Sequence, residues 1–243
     1  METLRDKVCI EKRRLLSFQI AEAQRDFPNI TLPAEEQDGV PLLPEDVRFD
    51  KWTLMSKGTH AQIFLAEIAG EEGPEKYCVK LFRKDWLTPF NFELAAYGQL
   101  LKHEVALRYI PEVYGYARRT LSDWGLNAPD NPDLYYGIVI EWFDNAEKLS
   151  IWNITVPVAL DLLMGLYRIH EAGVLHHDPF SRNMLVLPKA NRAVWIDFSC
   201  AHLNRKALLG GEMISVMGNI LHKVFTLCSK LTISLLRREN LKE

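Results

Sequence analysis

The sequence predicts an α+β chain in two lobes, a β-rich half followed by a helical one. Three observations predict it. Between Phe49 and Phe143, short runs rich in β-branched and aromatic residues follow one another, broken by turn signals such as Gly70-Glu71-Glu72-Gly73-Pro74. Beyond Thr155 the apolar spacing changes to i, i+3 and i+4, with Ala159, Leu162, Leu166 and Ile169 on one helical face. No internal repeat or low-complexity tract interrupts this order. The 243 residues suffice for one large domain or two intimate lobes. With 48% hydrophobic and 25% charged residues, global disorder, collagen-like repeats and a disulfide-stapled miniprotein are excluded.

The elements follow in order. Residues 2–26 lack Gly and Pro and carry Val8, Leu15, Leu16, Ile20 and Ala23 at loose helical spacing, which predicts an amphipathic N-terminal helix. Pro28 to Pro44, with four prolines, reads as a linker or an extended strap. Strands are expected at Trp52–Met55, Ala61–Ile68, Tyr77–Phe82, Val113–Arg118 and Tyr135–Phe143. Thr88-Pro89 reads as an N-cap and first helical position of a helix running through Glu93, Tyr97 and Leu100. Thr120–Asp133, rich in Asn, Asp and Pro, reads as an exposed loop. Thr155-Val156-Pro157 opens the next helix, which ends before Gly173. Two strands around Met184–Leu187 and Ala193–Ile196 and a last helix from about Glu212 to Arg238 complete the chain. The expected division is 1–48 as helix and linker, 49–143 as the β-rich lobe and 144–243 as the helical lobe.

Composition narrows the partners. Lys plus Arg is 29 against 32 for Asp plus Glu, and the net charge of -3 gives no general pull toward nucleic acid or anionic membrane. Basic pairs at Arg13-Arg14, Arg118-Arg119, Arg205-Lys206 and Arg237-Arg238 leave contact with a nucleic acid such as tRNA open, without the charge balance indicating it. No apolar run approaches the roughly 20 residues of a membrane-spanning helix. The first residues lack the apolar core of a signal peptide, and Glu2 stands where myristoylation requires glycine, so a cytoplasmic protein without a membrane association is expected. Cys9, Cys78, Cys200 and Cys228 are far apart and read as reduced thiols, with no zinc pattern.

The chemistry concentrates in Val174-Leu175-His176-His177-Asp178-Pro179-Phe180-Ser181-Arg182-Asn183, followed by Asp197 in Val194-Trp195-Ile196-Asp197-Phe198-Ser199. An Asp and an Asn five apart fit the two ends of one rigid loop, the Asp toward an acceptor hydroxyl and the Asn carbonyl toward a metal. A carboxylate at the end of the next strand completes an oxygen-ligand site suited to Mg²⁺, which keeps phosphate oxygens and waters for its remaining positions. Asp178 through Asn183, with the two preceding histidines, resembles the H-R-D-x-x-x-x-N catalytic loop of the protein-kinase-like superfamily, and Asp197-Phe198-Ser199 resembles its D-F-G. Tyr77-Cys78-Val79-Lys80 stands where V-A-I-K belongs. Glu93 is the candidate partner of Lys80, and Ile138 to Phe143 looks like the fifth strand and hinge, with Ile140 as gatekeeper. Ser56-Lys57-Gly58-Thr59-His60-Ala61-Gln62 takes the place of the Gly-rich loop.

The resemblance spans residues 50–225. It implies a two-lobed protein-kinase-like fold, with a five-stranded antiparallel N-lobe sheet carrying one helix and a reduced helical C-lobe. ATP and Mg²⁺ are the implied cofactors. Asp178, Asn183, Arg182 and Lys80 become catalytic; Lys80, Glu93, Ser56, Gly58, Thr59, Glu141 and Phe143 become nucleotide-binding; Asp197 and Asn183 become metal ligands. Several positions depart from the pattern. Phe180 stands where serine/threonine kinases place a phosphate-contacting lysine, so Arg182 is expected to supply that charge. Ser199 replaces a glycine and is expected to restrict the turn. Only 46 residues follow Asp197, with no A-P-E motif and no room for the helices of a peptide groove. The resemblance is therefore to small atypical and small-molecule kinases, and the expected acceptor is a small molecule or a group presented by a partner. Two alternatives stay open: a pseudokinase or scaffold, and a kinase fold used for other transfer chemistry, such as nucleotidyl transfer or tRNA-dependent amide or cyclodipeptide formation.

Overall fold

Burial along each strand shows which ones lie inside the sheet. The computed structural model describes residues 39–203 apart from 72, 104–107 and 128–132, together with positions 216, 218 and 220. These residues belong to the second of two compact units, Met1–Glu35 and Glu36–Glu243. Strands β1 (Lys51–Lys57), β2 (Ala61–Ile68), β3 (Glu75–Arg83), β4 (Val113–Thr120) and β5 (Leu134–Glu141) form one sheet in the order β1-β2-β3-β5-β4. Every neighbouring pair is antiparallel. In β3 and β5, Val79–Phe82 and Gly137–Ile140 are buried on both faces, as central strands require, whereas β4 alternates buried and outward residues. The five expected strands are all present, with ends shifted by at most two residues.

One face of the sheet holds Phe49, Phe64, Ala66, Val79, Leu81, Ala117, Trp124 and Val139. Trp124 is fully buried there, so 120–133 is not simply an exposed loop: its first turn folds an indole back into the core. Gly137 makes the space, because a Cβ at that position would lie 2.2 Å from the Trp124 ring. The opposite face receives helix α1 (Leu87–Leu101), with Phe90 5.7 Å from Phe82 and 5.2 Å from Tyr136 between ring centroids. A single 3₁₀ turn, Lys84–Trp86, leads from β3 into α1, and Trp86 is the N-cap. Thr88 and Pro89 therefore lie inside the helix, and no side chain caps it. Of the strap, residues 39–44 are described, and 41–43 run beside β4: Leu43 N–H donates to Tyr116 O at 2.8 Å and Tyr116 N–H donates to Pro41 O at 3.0 Å.

The following segment holds helix α2 (Val156–Glu171), whose start is as expected. Thr155 is the N-cap and its hydroxyl accepts from Val158 N–H. Ala172 and Gly173, the latter at φ +80°, end it. Short strands β6 (Glu147–Lys148), β8 (Met184–Leu187) and β9 (Arg192–Trp195) form one small sheet; β7 (Val174–Leu175) pairs with β10 (His202–Leu203). Trp195 on β9 is fully buried and donates its indole N–H to Leu162 O of α2 at 3.0 Å, which fixes the small sheet to the helix. The expected helices over 2–26 and 212–238 lie outside the described residues, except that 216, 218 and 220 are helical and Val216 and Ile220 are buried.

Candidate active site

Lys80 alternates with Cys78 and Phe82 on the face of β3 that meets α1, so its ammonium enters an apolar layer and is only 6% exposed. A buried lone charge costs several kcal/mol unless paired. Lys80 Nζ has two carboxylates, Glu93 Oε2 at 2.5 Å and Asp197 Oδ1 at 2.6 Å. Lys80 does not snorkel to solvent, and Glu93, 1% exposed, is no solvated helix residue. The 3₁₀ turn after β3 enters α1 so directly that 13 residues separate the two partners.

The three charges hold one another in place. Burial alone would lower the Lys80 pKa, but Asp197 and Glu93 outweigh it and hold the ammonium above its ordinary range. Burial likewise pushes the Asp197 carboxyl up, yet the Lys80 charge, the hydrogen bonds from Lys80 and Ser199, and His176 bring it well below the usual carboxylate range. For Glu93 burial wins, raising it to about 7 despite Lys80.

The loop from β7 to β8 carries the other polar residues. His176 is fully buried, with Nε2 3.1 Å from Ile196 O and its ring 4.8 Å from Phe198. Phe198 in turn lies 5.3 Å from Tyr97 of α1. This line of rings joins α1, the segment after β9 and the loop. The loop's backbone is bent at His177 (φ +57°), and the segment after β9 is bent at Asp197 (φ +65°), a left-handed conformation that non-glycine residues adopt rarely and hold only when their surroundings enforce it. Asn183 Nδ2 donates to Asp178 O at 2.9 Å and to Asp178 Oδ2 at 2.7 Å, and Arg182 donates to Asp178 Oδ1. Ile196 N–H donates to Asn183 O at 3.0 Å, which ties the loop to the residue preceding Asp197.

Arg182 is thus paired with Asp178, and its guanidinium lies 4.6 Å above the Phe180 ring. Phe180 is 40% exposed. Ser56, near the end of β1, and Gly58 and Thr59, on the β1–β2 turn, are exposed; Gly58 N–H donates to Ala61 O at 2.9 Å. None has a described contact with the Lys80 cluster. His60 from the same turn lies tilted against Trp86 with ring centroids 4.7 Å apart, and burial lowers its pKa, with opposing effects from Asp197 and Lys80. Glu141 is occupied at the end of β5, accepting from Glu112 N–H at 3.2 Å, and Phe143 O accepts from Ala146 N–H at 3.3 Å. The pair Arg118-Arg119 does not form a cationic patch: Arg119 is buried over Trp124 and donates to Val47 O and Pro44 O. Sequence reasoning missed His60, Tyr97 and the Ser199 hydroxyl. Only the ring partners of His176 carried a signal, the aromatic residue at 198.

No protein-family model matches the chain. Over 70 residues it is 34% identical to the dual specificity testis-specific protein kinase 2 of Rattus norvegicus, a match covering 28% of this chain and 12% of that protein. The human protein of that name gives 33% over 70 residues. Over 146 residues the chain is 24% identical to a probable serine/threonine-protein kinase of Dictyostelium discoideum, covering 58% of this chain and 15% of that protein. Over part of its length the chain is similar to protein kinases. It spans less than a sixth of the length of the curated relatives it matches.

The donor set of this site fits a hard divalent ion. Asp197 offers a carboxylate, and Asn183, with its amide protons engaged at Asp178, keeps Oδ1 as its acceptor atom. Among the described residues no three His, Cys, Asp or Glu side chains converge on one metal position. Burial pushes the Cys78 thiol up to about 12 and the Cys200 thiol up to about 11, which keeps both protonated at neutral pH. No helix among the described residues is long and apolar enough to cross a membrane.

Proposed function

We propose that the chain is a kinase-like phosphotransferase that uses ATP and Mg²⁺ and acts on a small-molecule or partner-presented acceptor. One observation carries the reading: Lys80, buried on β3, is held between Glu93 of α1 and Asp197 after β9, beside the loop that pairs Asp178 with Asn183. When bound, ATP supplies the phosphoryl group and Mg²⁺ the charge that neutralises it. Lys80 binds phosphate oxygens, with Glu93 keeping the ammonium in place. Asp197 and Asn183 hold the metal. Asp178 orients the acceptor hydroxyl and takes its proton on a carboxylate oxygen, the role its place in the loop supports. Arg182 balances the charge of Asp178 and, stacked on Phe180, forms the polar rim of the acceptor pocket. The partly exposed Phe180 gives that rim an apolar wall.

A second reading, a nucleotide-binding scaffold without turnover, is favoured by one feature: Arg182 and Asn183 occupy both oxygens of Asp178. The variant Asp178→Asn separates the two. Under the phosphotransferase reading it loses at least 100-fold in ATP turnover while the ATP/Mg²⁺-induced rise in melting temperature persists. A wild-type chain that shows the rise but no turnover supports the scaffold. No rise and no turnover would overturn both.

A further inference from the structure

The residue after Phe198 is a serine, and its hydroxyl has a specific partner. Ser199 Oγ donates to Asp197 Oδ1 at 2.6 Å, with Ser199 N–H at 3.4 Å from the same atom. That oxygen also accepts from Lys80 Nζ at 2.6 Å. A carboxylate oxygen has two lone pairs in its plane, and here an ammonium and a hydroxyl use both. Asp197 is therefore left with Oδ2, on a side chain that is 40% exposed. The expected backbone restriction at Ser199 is not what distinguishes it: among the described residues the positive φ falls on Asp197, and Ser199 has none. The serine acts through its side chain.

We propose that Ser199 is a positioning residue that makes Asp197 a one-oxygen metal ligand. The inference rests on the metal role given to Asp197 under the proposed function. A glycine or alanine at 199 removes one of the two strong donors to Oδ1, and the carboxylate can then close on an ion with both oxygens. A charged donor such as Lys80 cannot yield without leaving its own ammonium buried with one partner. A neutral hydroxyl can be displaced at the cost of one hydrogen bond. The serine thus lowers metal affinity by an amount that its removal restores.

The test uses the full chain with Mn²⁺ as the probe, titrated in the presence of a non-hydrolysable ATP analogue and followed by the electron paramagnetic resonance of free Mn²⁺. Ser199→Ala should bind Mn²⁺ roughly fivefold more tightly than the wild type, equivalent to about 1 kcal/mol. Ser199→Thr, which keeps a hydroxyl, should stay at the wild-type value. Affinity for the analogue without metal should not change in either variant; a merely structural role would instead shift melting temperature and metal-free affinity together. Unchanged or weaker Mn²⁺ binding by Ser199→Ala overturns the proposal, and Ser199→Gly gives the same reading if the alanine variant does not fold. Asp197→Asn isolates the underlying assignment. If it binds Mn²⁺ like the wild type, or if the wild type binds none, the metal site itself is wrong; if it loses binding while Ser199→Ala does not tighten, only the serine's role falls.

Discussion

At the scale of single residues, Lys80 decides most. It is a charge in an apolar layer, tolerable only because two carboxylates meet it within 2.6 Å. Lys80→Met leaves Glu93 buried without a cation. Breaking a buried pair in this way costs about 3–5 kcal/mol, so the variant should lose that much stability in urea denaturation, along with any nucleotide-induced stabilisation. A loss below about 1 kcal/mol, the range of surface pairs, would mean that the ammonium is solvated after all. Motif spacing brought Lys80, Asp178, Asn183 and Asp197 into view, because each needs a particular residue type at a particular place in a loop or strand end. Arg182 was visible as a charge, but its partner was not: whether a guanidinium turns to a phosphate or to the aspartate four residues earlier is set by loop geometry. The hydroxyl of Ser199 was hidden for the same reason.

At the scale of elements, α1 matters through one buried carboxylate. Glu93 has a pKa raised by burial from 4.5 to about 7. A carboxyl whose folded pKa lies above its unfolded value contributes stability that is complete below about 4.5 and lost as the pH rises through about 7. Asp197 works the other way: its contribution is present above 3.8 and is lost as the pH falls below that value. His60, with its pKa lowered by burial, acts with the opposite sign to Glu93. The difference between wild type and Glu93→Gln cancels it. Between about pH 5 and pH 8 the wild type should lose stability relative to the glutamine variant, by an amount on the order of 3 kcal/mol. Denaturation curves at four pH values in that window check this, and parallel pH dependence of the two proteins would refute it. Strand periodicity and turn signals located every strand of the main sheet. They misplaced the start of α1 because Thr88-Pro89 has the chemistry of a cap, while the chain enters the helix one turn earlier through Lys84–Trp86.

At the scale of the whole chain, the α+β order was legible because period-2 and period-3.6 patterns occupy different halves of the sequence. Tertiary closure was less so. Trp124 lies in a stretch whose composition says loop, and only the missing Cβ at Gly137, on a different strand, explains why the indole goes inside. Likewise, the line His176–Phe198–Tyr97 joins residues up to 101 positions apart only after the sheet, α1 and the loop have come together. The candidate site residues thus come from local patterns, whereas their mutual distances depend on packing between elements that no local pattern encodes.

The short run of residues 41–43 along β4 has a consequence for solubility. β4 ends the sheet, and an outermost strand presents unpaired amide and carbonyl groups that can template pairing with another chain. Pro41 and Leu43 engage Tyr116 from outside, and Arg119 reaches over Trp124 to Pro44 and Val47 to hold the run in place. The other border, β1, is protected differently, by Lys51, Lys57 and an irregularity between Leu54 and Ser56. A chain truncated to begin after Pro44 would keep the whole sheet and every candidate catalytic residue yet leave β4 open to self-association. It should therefore scatter light and form oligomers at concentrations where the full-length chain stays monodisperse, with Tyr116→Pro in the truncated chain reducing the effect by removing an edge donor.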